Sequence, residues 1–295
     1  MRLFEDHLEF GSNSILLATD LSSSSDTATV YAAQLARRYN AKITALEVFD
    51  YAWAGSPKTG GIPIGLAVME SAAEDALEEL RVNLCKEKVQ CDAMLVDGDP
   101  ASEILKAIAQ KNVDVVVLGT HGKEGFDRFA WGSVAEEVLR KASCAVLIVG
   151  PKVPRPTQYE LTLRNLVFAT DFSPPSRRAA SYAFTLASDF DACLHLVHIL
   201  PSSIEGCSDE TELANASKQA LIVISQNQTS ACHNLSNEVS YGEHVDDAIL
   251  ARADVDSADL IVLGVRRASQ LASHVPDITS HIIGEAKCPV LTISS

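Results

Sequence analysis

Two tandem α/β domains, each a five-stranded parallel sheet, are what this sequence predicts, and three observations carry it. Short apolar runs alternate with segments of helical period, the order of right-handed βαβ units. That order occurs twice, at a period near 150 residues, too long for a solenoid unit. One run, Val113–Leu118, passes directly into Gly119-Thr120-His121-Gly122, a glycine loop at the end of a strand apolar enough to be buried on both faces.

In the first half, Ile15–Thr19 reads as the opening strand. Ser22–Ser25 offer N-caps to a helix with Ala28, Tyr31, Leu35 and Tyr39 at helical spacing. Lys42–Val48 is the second strand. Asp50–Gly65 holds four glycines and two prolines and is expected to be a mobile loop. A long amphipathic helix follows, with Val68, Ala72, Ala76, Leu80 and Leu84 as its expected apolar face. Asp92–Val96 is the third strand, and Asp97-Gly98-Asp99-Pro100 turns into a helix carrying Ile104, Leu105 and Ile108. After the glycine-loop strand, Gly132-Ser133 opens a helix with Val134, Val138 and Lys141 on one face, and Ala145–Val149 closes the domain.

Pro151, Pro154 and Pro156 make residues 151–163 a stiff, extended linker between domains at 1–150 and 164–295. The second copy then repeats the first. Ser14–Ser22 is answered by Asn165–Ser173, Ala41–Val48 by Ala192–Ile199, Asp114–Gly119 by Asp259–Gly264, and Cys144–Val149 by Cys288–Ile293. The polar stretch 202–212 stands where the first half has its glycine-rich loop.

Size and charge bound the function. A chain of 295 residues with 47% apolar and 21% charged residues has material for two ordinary cores. The net charge of −15, shared about evenly by the halves, argues against nucleic acid and anionic membranes as partners. A nucleotide would have to be held by local backbone N–H groups, with a divalent cation, rather than by the overall field. No apolar run approaches the ~18 residues of a bilayer span. Met1–Asp6 is acidic and has no signal-type apolar core, so a cytoplasmic location is expected. The seven cysteines, without a C-x-x-C, read as reduced thiols, with Cys144 and Cys288 as core filler.

Strand, glycine loop, spacer and helix N-terminus together describe a phosphate cradle. Gly119 and Gly122 allow close backbone approach, and a helix starting at Gly132-Ser133 offers free N–H groups, a positive dipole end and a hydroxyl. The spacing G-x2-G-x9-G-S is neither a Walker loop nor the dinucleotide fingerprint, and neither of those occurs elsewhere. It resembles the ATP-binding motif of the universal stress protein family, and both halves of the chain resemble domains of that family. The resemblance implies Rossmann-like domains of the adenine nucleotide alpha hydrolase type. It implies that Val48 and the backbone near Ala18 and Thr19 meet adenine, and that Asp20 lies toward the ribose and a phosphate-bound Mg²⁺. It also implies that Gly119, Gly122, Gly132, Ser133 and Val134, with Leu118, Thr120 and His121 among them, wrap the ribose and phosphates. The family's pairing of domains through their last strands implies an intrachain pseudo-dimer through Val146–Val149 and Val290–Ile293, with further association into a homodimer open.

The second half keeps Thr170-Asp171, Ile199 and Gly264 but has Arg267 at the second glycine position and Pro276-Asp277 at Gly-Ser. An arginine blocks backbone approach, and a carboxylate at a helix N-terminus repels phosphate. One competent and one degenerate site are therefore expected. Lys123 and Arg128 in the spacer are equally readable as γ-phosphate ligands or as a solvated loop. His195 and His198 read as core residues on one strand face, and Glu74, Asp75, Glu78 and Glu79 as a solvated helix face. No catalytic residue is assigned. The expected function is an ATP- or AMP-binding regulator of the stress response acting through an unknown protein partner. A slow Mg-dependent ATPase or nucleotide hydrolase, with Asp20 holding the metal, and a nucleotide-independent scaffold are the alternatives.

Overall fold

The computed structural model describes residues 13–22, 25–49, 64–120, 132–207, 209–226, 232, 234–266 and 278–294. The chain divides into two compact units, Ser12–Leu161 and a second built on Thr162–Ser295. The first runs β1 (Ser14–Ala18), α1 (Asp26–Tyr39), β2 (Lys42–Phe49), α2 (Ile64–Lys86), β3 (Gln90–Asp97), α3 (Pro100–Lys111), β4 (Val115–Gly119), α4 (Ser133–Lys141) and β5 (Ala145–Val149). The second runs β6 (Asn165–Ala169), α5 (Pro174–Phe190), β7 (Cys193–Pro201), a 3-10 turn at Ser202–Ile204, α6 (Glu210–Gln226), β8 (Asn234–Gly242), α7 (Val245–Val255), β9 (Leu260–Val265), α8 (Ile278–Glu285) and β10 (Val290–Ser294).

Every strand pairing within the units is parallel. The first sheet has the order β3-β2-β1-β4-β5 and the second the order β8-β7-β6-β9-β10. In each unit the chain leaves its first strand toward one side and returns on the other. The carboxyl ends of β1 and β4, and of β6 and β9, therefore flank a switch-point crevice. The central strands have helices on both faces, so their residues are apolar without alternation: Ile15, Leu16, Leu17, Val116, Val117, Leu166, Val167 and Phe168 are all fully buried. Three helices stop in the same way. Asn40, Asn112 and Asp191 take left-handed φ of 52°, 49° and 49° at the ends of α1, α3 and α5. Asn and Asp tolerate that conformation better than other side chains.

At the ends of the strands away from the crevice, one carboxylate does the same work in both halves. Asp114 Oδ2 accepts from the Asn13 and Ser14 N–H groups at 3.0 and 3.1 Å, and Asp259 Oδ2 from those of Arg164 and Asn165 at 2.7 and 3.0 Å. These aspartates fix strand register and have no part in the site.

Two expectations about faces need correction. The apolar face of α2 is Ala73, Leu77 and Leu84, whereas Val68 is 63% exposed. Steps of four residues advance about 400°, so a line of them drifts around a 3.6-residue helix; the buried line mixes steps of three and four. His195 and His198 are three apart on β7 and so point to opposite faces of the sheet. His195 Nδ1 is hydrogen-bonded to Ser236 Oγ at 2.9 Å, while His198 Nδ1 meets the Thr170 carbonyl at 2.7 Å.

Candidate functional site

The first crevice is built on the turn that follows β1. The Thr19 N–H donates to the Leu46 carbonyl at 3.0 Å, which carries β1 past its last sheet partner and sets it beside β2. The Thr19 side chain then folds back, accepting from the Leu21 N–H at 3.0 Å and sharing a 3.0 Å hydrogen bond with the Ser25 hydroxyl. Leu21 is thereby held at φ 57°, a conformation that costs a branched side chain about 1–2 kcal/mol. Ser25 is the N-cap of α1 by position but makes no side-chain cap; its hydroxyl donates to the Ser22 carbonyl at 2.8 Å. Of the serines predicted as caps, Ser22 and Ser25 thus lock the turn instead, while Ser23 and Ser24 lie outside the described residues.

Asp20 sits in the middle of this turn. Its Oδ1 accepts from the Ser22 N–H at 3.1 Å and from the Ser22 hydroxyl at 2.6 Å. Its Oδ2 is buried and has no hydrogen-bond partner among the described residues. One oxygen holds the turn and the other is left for something else. A buried carboxylate oxygen without a partner is costly, and a divalent cation or a sugar hydroxyl is chemically suited to it.

Across the switch point stands the end of β4. Leu118 is in register with Ala18, both buried, and Gly119 with Val149. Thr120 is 3% exposed. Its carbonyl accepts from the Gly132 N–H at 3.0 Å, and this bond brings the start of α4 to the end of β4. Gly132 has ordinary φ and ψ of −63° and 128°, so it is not glycine for flexibility. A Cβ there would lie 2.8 Å from the Thr120 carbonyl oxygen, closer than real Cβ atoms come. Gly132 is the N-cap and supplies no side chain to the first N–H groups of α4. In α3, by contrast, Asp99 caps by accepting from the Ser102 N–H at 2.9 Å. Ser133 is exposed and Val134 half-buried on the open first turn of α4. An uncapped, positive helix end facing a crevice suits an anion.

The structure therefore places Ala18, Thr19, Asp20, Leu118, Gly119, Thr120, Gly132, Ser133 and Val134 around one crevice, with Val48 half-buried near the end of the adjacent β2. His121, Gly122, Lys123 and Arg128 lie outside the described residues, as do Asp50–Pro63 of the expected loop. Sequence reasoning gave Ser22 and Ser25 only a capping role and gave Glu47 none. Glu47 is 3% exposed on β2 next to Val48, and the available signal was an acid inside an apolar strand.

Burial pushes the thiols of the half-buried Cys144 and the buried Cys288 up to about 12 and that of the buried Cys91 up to about 11, so all three stay protonated.

A model of the universal stress protein family matches residues 11–150 and again 162–294. The chain belongs to the universal stress protein family. Single-domain relatives match one half at a time. Universal stress protein MJ0531 of Methanocaldococcus jannaschii is 32% identical over 136 residues, 46% of this chain and 80% of that protein. Universal stress protein YxiE of Bacillus subtilis is 30% identical over 153 residues, 46% of this chain and 98% of that protein. The crystal structure of a universal stress protein from Archaeoglobus fulgidus DSM 4304 shares the whole fold, with a TM-score of 0.73 over 97% of each chain at 24% identity. No helix among the described residues is long and apolar enough to cross a membrane.

The second unit of this universal stress protein repeats the turn and then departs from it. The Phe172 N–H donates to Thr170 Oγ1 at 3.0 Å with Phe172 at φ 61°, as Leu21 does with Thr19. Asp171 Oδ1 accepts from the Ser173 N–H at 3.0 Å and the Ser176 hydroxyl at 2.6 Å. Here the second oxygen is engaged: Asp171 Oδ2 lies 3.5 Å from Arg266 Nη2. Phe172 packs on His198 with ring centroids 4.4 Å apart. Gly264 has a packing role of its own. A Cβ there would sit 2.2 Å from the Ser176 nitrogen and 2.4 Å from its Cα, so glycine is required where α5 starts against β9. Arg267, Pro276 and Asp277 lie outside the described residues.

Burial raises the Asp171 carboxyl, but hydrogen bonds from Ser173 and Ser176, with the Arg266 charge, outweigh it and leave the carboxyl below its ordinary value. Such a group stabilises the fold above the unfolded carboxylate pKa of about 3.9, and that contribution is lost as pH falls through the lower folded value. Urea denaturation should therefore find Asp171→Asn destabilised at neutral pH, with the gap from wild type closing below about pH 4. A gap unchanged across that range would mean that ionisation of Asp171 contributes nothing.

Proposed function

We propose that this universal stress protein is a regulatory adenine-nucleotide binder that holds ATP or AMP in its first unit only. The observation that carries the reading is the junction of Thr120 and Gly132, which sets a helix end whose N-cap residue has no side chain against the carboxyl end of β4. Phosphates suit those N–H groups, adenine suits the apolar surface at Val48 and Ala18, and the ribose or a Mg²⁺ suits Asp20 Oδ2. The unpartnered oxygen fits the donor chemistry of a divalent cation, with Asp20 supplying one carboxylate ligand; the ion would neutralise phosphate charge. In the second unit the exposed Arg266 lies 3.5 Å from the corresponding Asp171, which supports a single seat per chain.

Isothermal calorimetry with ATP and with AMP, with and without Mg²⁺, tests this. One equivalent per chain is expected, and Asp20→Asn should remove the Mg²⁺ dependence. No heat at saturating nucleotide, or two equivalents, would sink the proposal. The free oxygen of Asp20 also keeps slow hydrolysis in view; phosphate release well above background and lost in Asp20→Asn would turn the reading toward an ATPase.

A further inference from the structure

The three prolines suggested a stiff, extended linker, and residues 153–160 are fastened along α1 of the first unit. Val153 is buried. Arg155 lies 3.5 Å from Asp26, the first residue of α1. Further on, Gln34 and Arg37 near the other end of α1 hold the connector's carbonyls. The Gln34 amide, only 2% exposed, donates to the Gln158 carbonyl at 2.7 Å and the Glu160 carbonyl at 3.4 Å. Arg37 Nη2 donates to the Tyr159 carbonyl at 2.6 Å, its Nη1 pairs with Glu87 at 2.8 Å, and its guanidinium lies 3.9 Å above the Tyr159 ring. The Tyr159 hydroxyl donates to the Glu87 carbonyl at 2.7 Å, just beyond α2.

The lengths agree with a strap running beside the helix. Four extended residues from Arg155 to Tyr159 reach about 13 Å, and eleven helical residues from Asp26 to Arg37 about 16 Å. A glutamine on the buried side of α1 has no use in a helix–sheet core; its donors are satisfied by the strap, and would be left unmade without it.

The same helix begins where the crevice turn ends. The Ser22 hydroxyl donates to Asp20, the Ser25 N–H donates to the Ser22 carbonyl at 3.0 Å, and the Thr29 N–H of α1 donates to the Ser25 carbonyl at 3.0 Å. α1 is thus a single rigid element with the crevice turn at one end and the strap's anchors at the other. We propose that the strap is coupled to occupancy of the first crevice: a ligand seated on the Asp20 turn shifts α1, and the hold of Gln34 and Arg37 on residues 158–160 changes with it. This rests on the nucleotide reading above. Coupling of this kind is reciprocal: the factor by which nucleotide changes the strap's opening constant equals the ratio of nucleotide affinities of the open and closed forms.

Chymotrypsin cleavage of the Tyr159–Glu160 bond in the full-length protein tests the proposal, because cleavage requires the strap to open. Arg37→Ala should be cut about tenfold faster than wild type, and Tyr159→Phe, which keeps the ring and the cleavage site but loses the bond to Glu87, by an intermediate amount. ATP with Mg²⁺ should change the wild-type rate severalfold, and calorimetry should show Arg37→Ala altered in ATP affinity at unchanged circular dichroism. A wild-type rate equal to that of Arg37→Ala overturns the proposal. So does a rate that ignores ATP in a sample where calorimetry shows ATP bound. Absence of ATP binding is a separate failure: it removes the nucleotide reading, and the coupling with it, whatever the cleavage rates.

Discussion

Gly132→Val is expected to lower ATP affinity at the first crevice about a hundredfold, close to 3 kcal/mol, while the protein remains folded. The dihedrals at Gly132 are open to any residue, so the backbone itself resists nothing. The obstacle is the Thr120 carbonyl oxygen, 2.8 Å from where the new Cβ must go. Relief requires the Gly132 N–H to part from Thr120, or the first turn of α4 to back away. Either movement takes the N–H groups of residues 133–135 away from where the proposed nucleotide's phosphates would sit, and charge-assisted bonds to N–H groups weaken steeply with misplacement. The cost to folding should be small, because Gly132 is only half-buried and the core face of α4, Ala135, Val138 and Leu139, is a turn away. Calorimetry gives the affinity and thermal denaturation the stability. Gly132→Ala carries the same Cβ without the branch and should fall between. A valine variant that binds ATP as wild type does would show that phosphate is seated elsewhere.

The frame of the molecule was legible because its signals are local. Apolar runs such as Val115–Leu118 and Leu166–Ala169 declare strands buried on both faces, and the order of elements does the rest. The duplicated Asp114 and Asp259 helped for a reason invisible in one dimension: each brackets two backbone N–H groups from the neighbouring strand. What failed was angular. The α2 face was read in steps of four, and the two histidines of β7 were placed on one face although they are three apart. The site was half legible. Gly132 was found by spacing and Asp20 through the family resemblance, but the division of labour between the two oxygens of Asp20 depends on where the Ser22 hydroxyl points, which no pattern specifies. The strap was missed for a similar reason. Prolines announce an extended backbone but not what it lies on, and the clue, a glutamine among the alanines of α1, has meaning only once residues 158–160 are beside it.

Gly264→Ala is expected to destabilise the second unit by about 3 kcal/mol, or roughly 10 °C in its melting temperature, without changing ATP binding in the first. In sequence Gly264 matches Gly119 and looks like the remnant of a ligand loop. In the structure it is a packing residue. The added methyl would stand 2.2 Å from the Ser176 nitrogen, 2.4 Å from its Cα and 2.5 Å from the Pro175 carbonyl carbon, all backbone atoms that cannot rotate aside. The whole start of α5 must move. That start is pinned: Ser176 donates to Asp171 at 2.6 Å, Ser173 caps the helix, and Pro175 and Ser176 are buried. Moving it would strain the Asp171 turn and open the contact of α5 with the fully buried Phe168 layer. Thermal denaturation of the full chain with and without ATP separates the two outcomes. Because a ligand stabilises only the unit that binds it, the transition assigned to the second unit should shift down in Gly264→Ala and ignore ATP, while ATP still raises the other. Loss of ATP binding in Gly264→Ala with no loss of stability would reverse the assignment and make the second crevice the seat of the nucleotide.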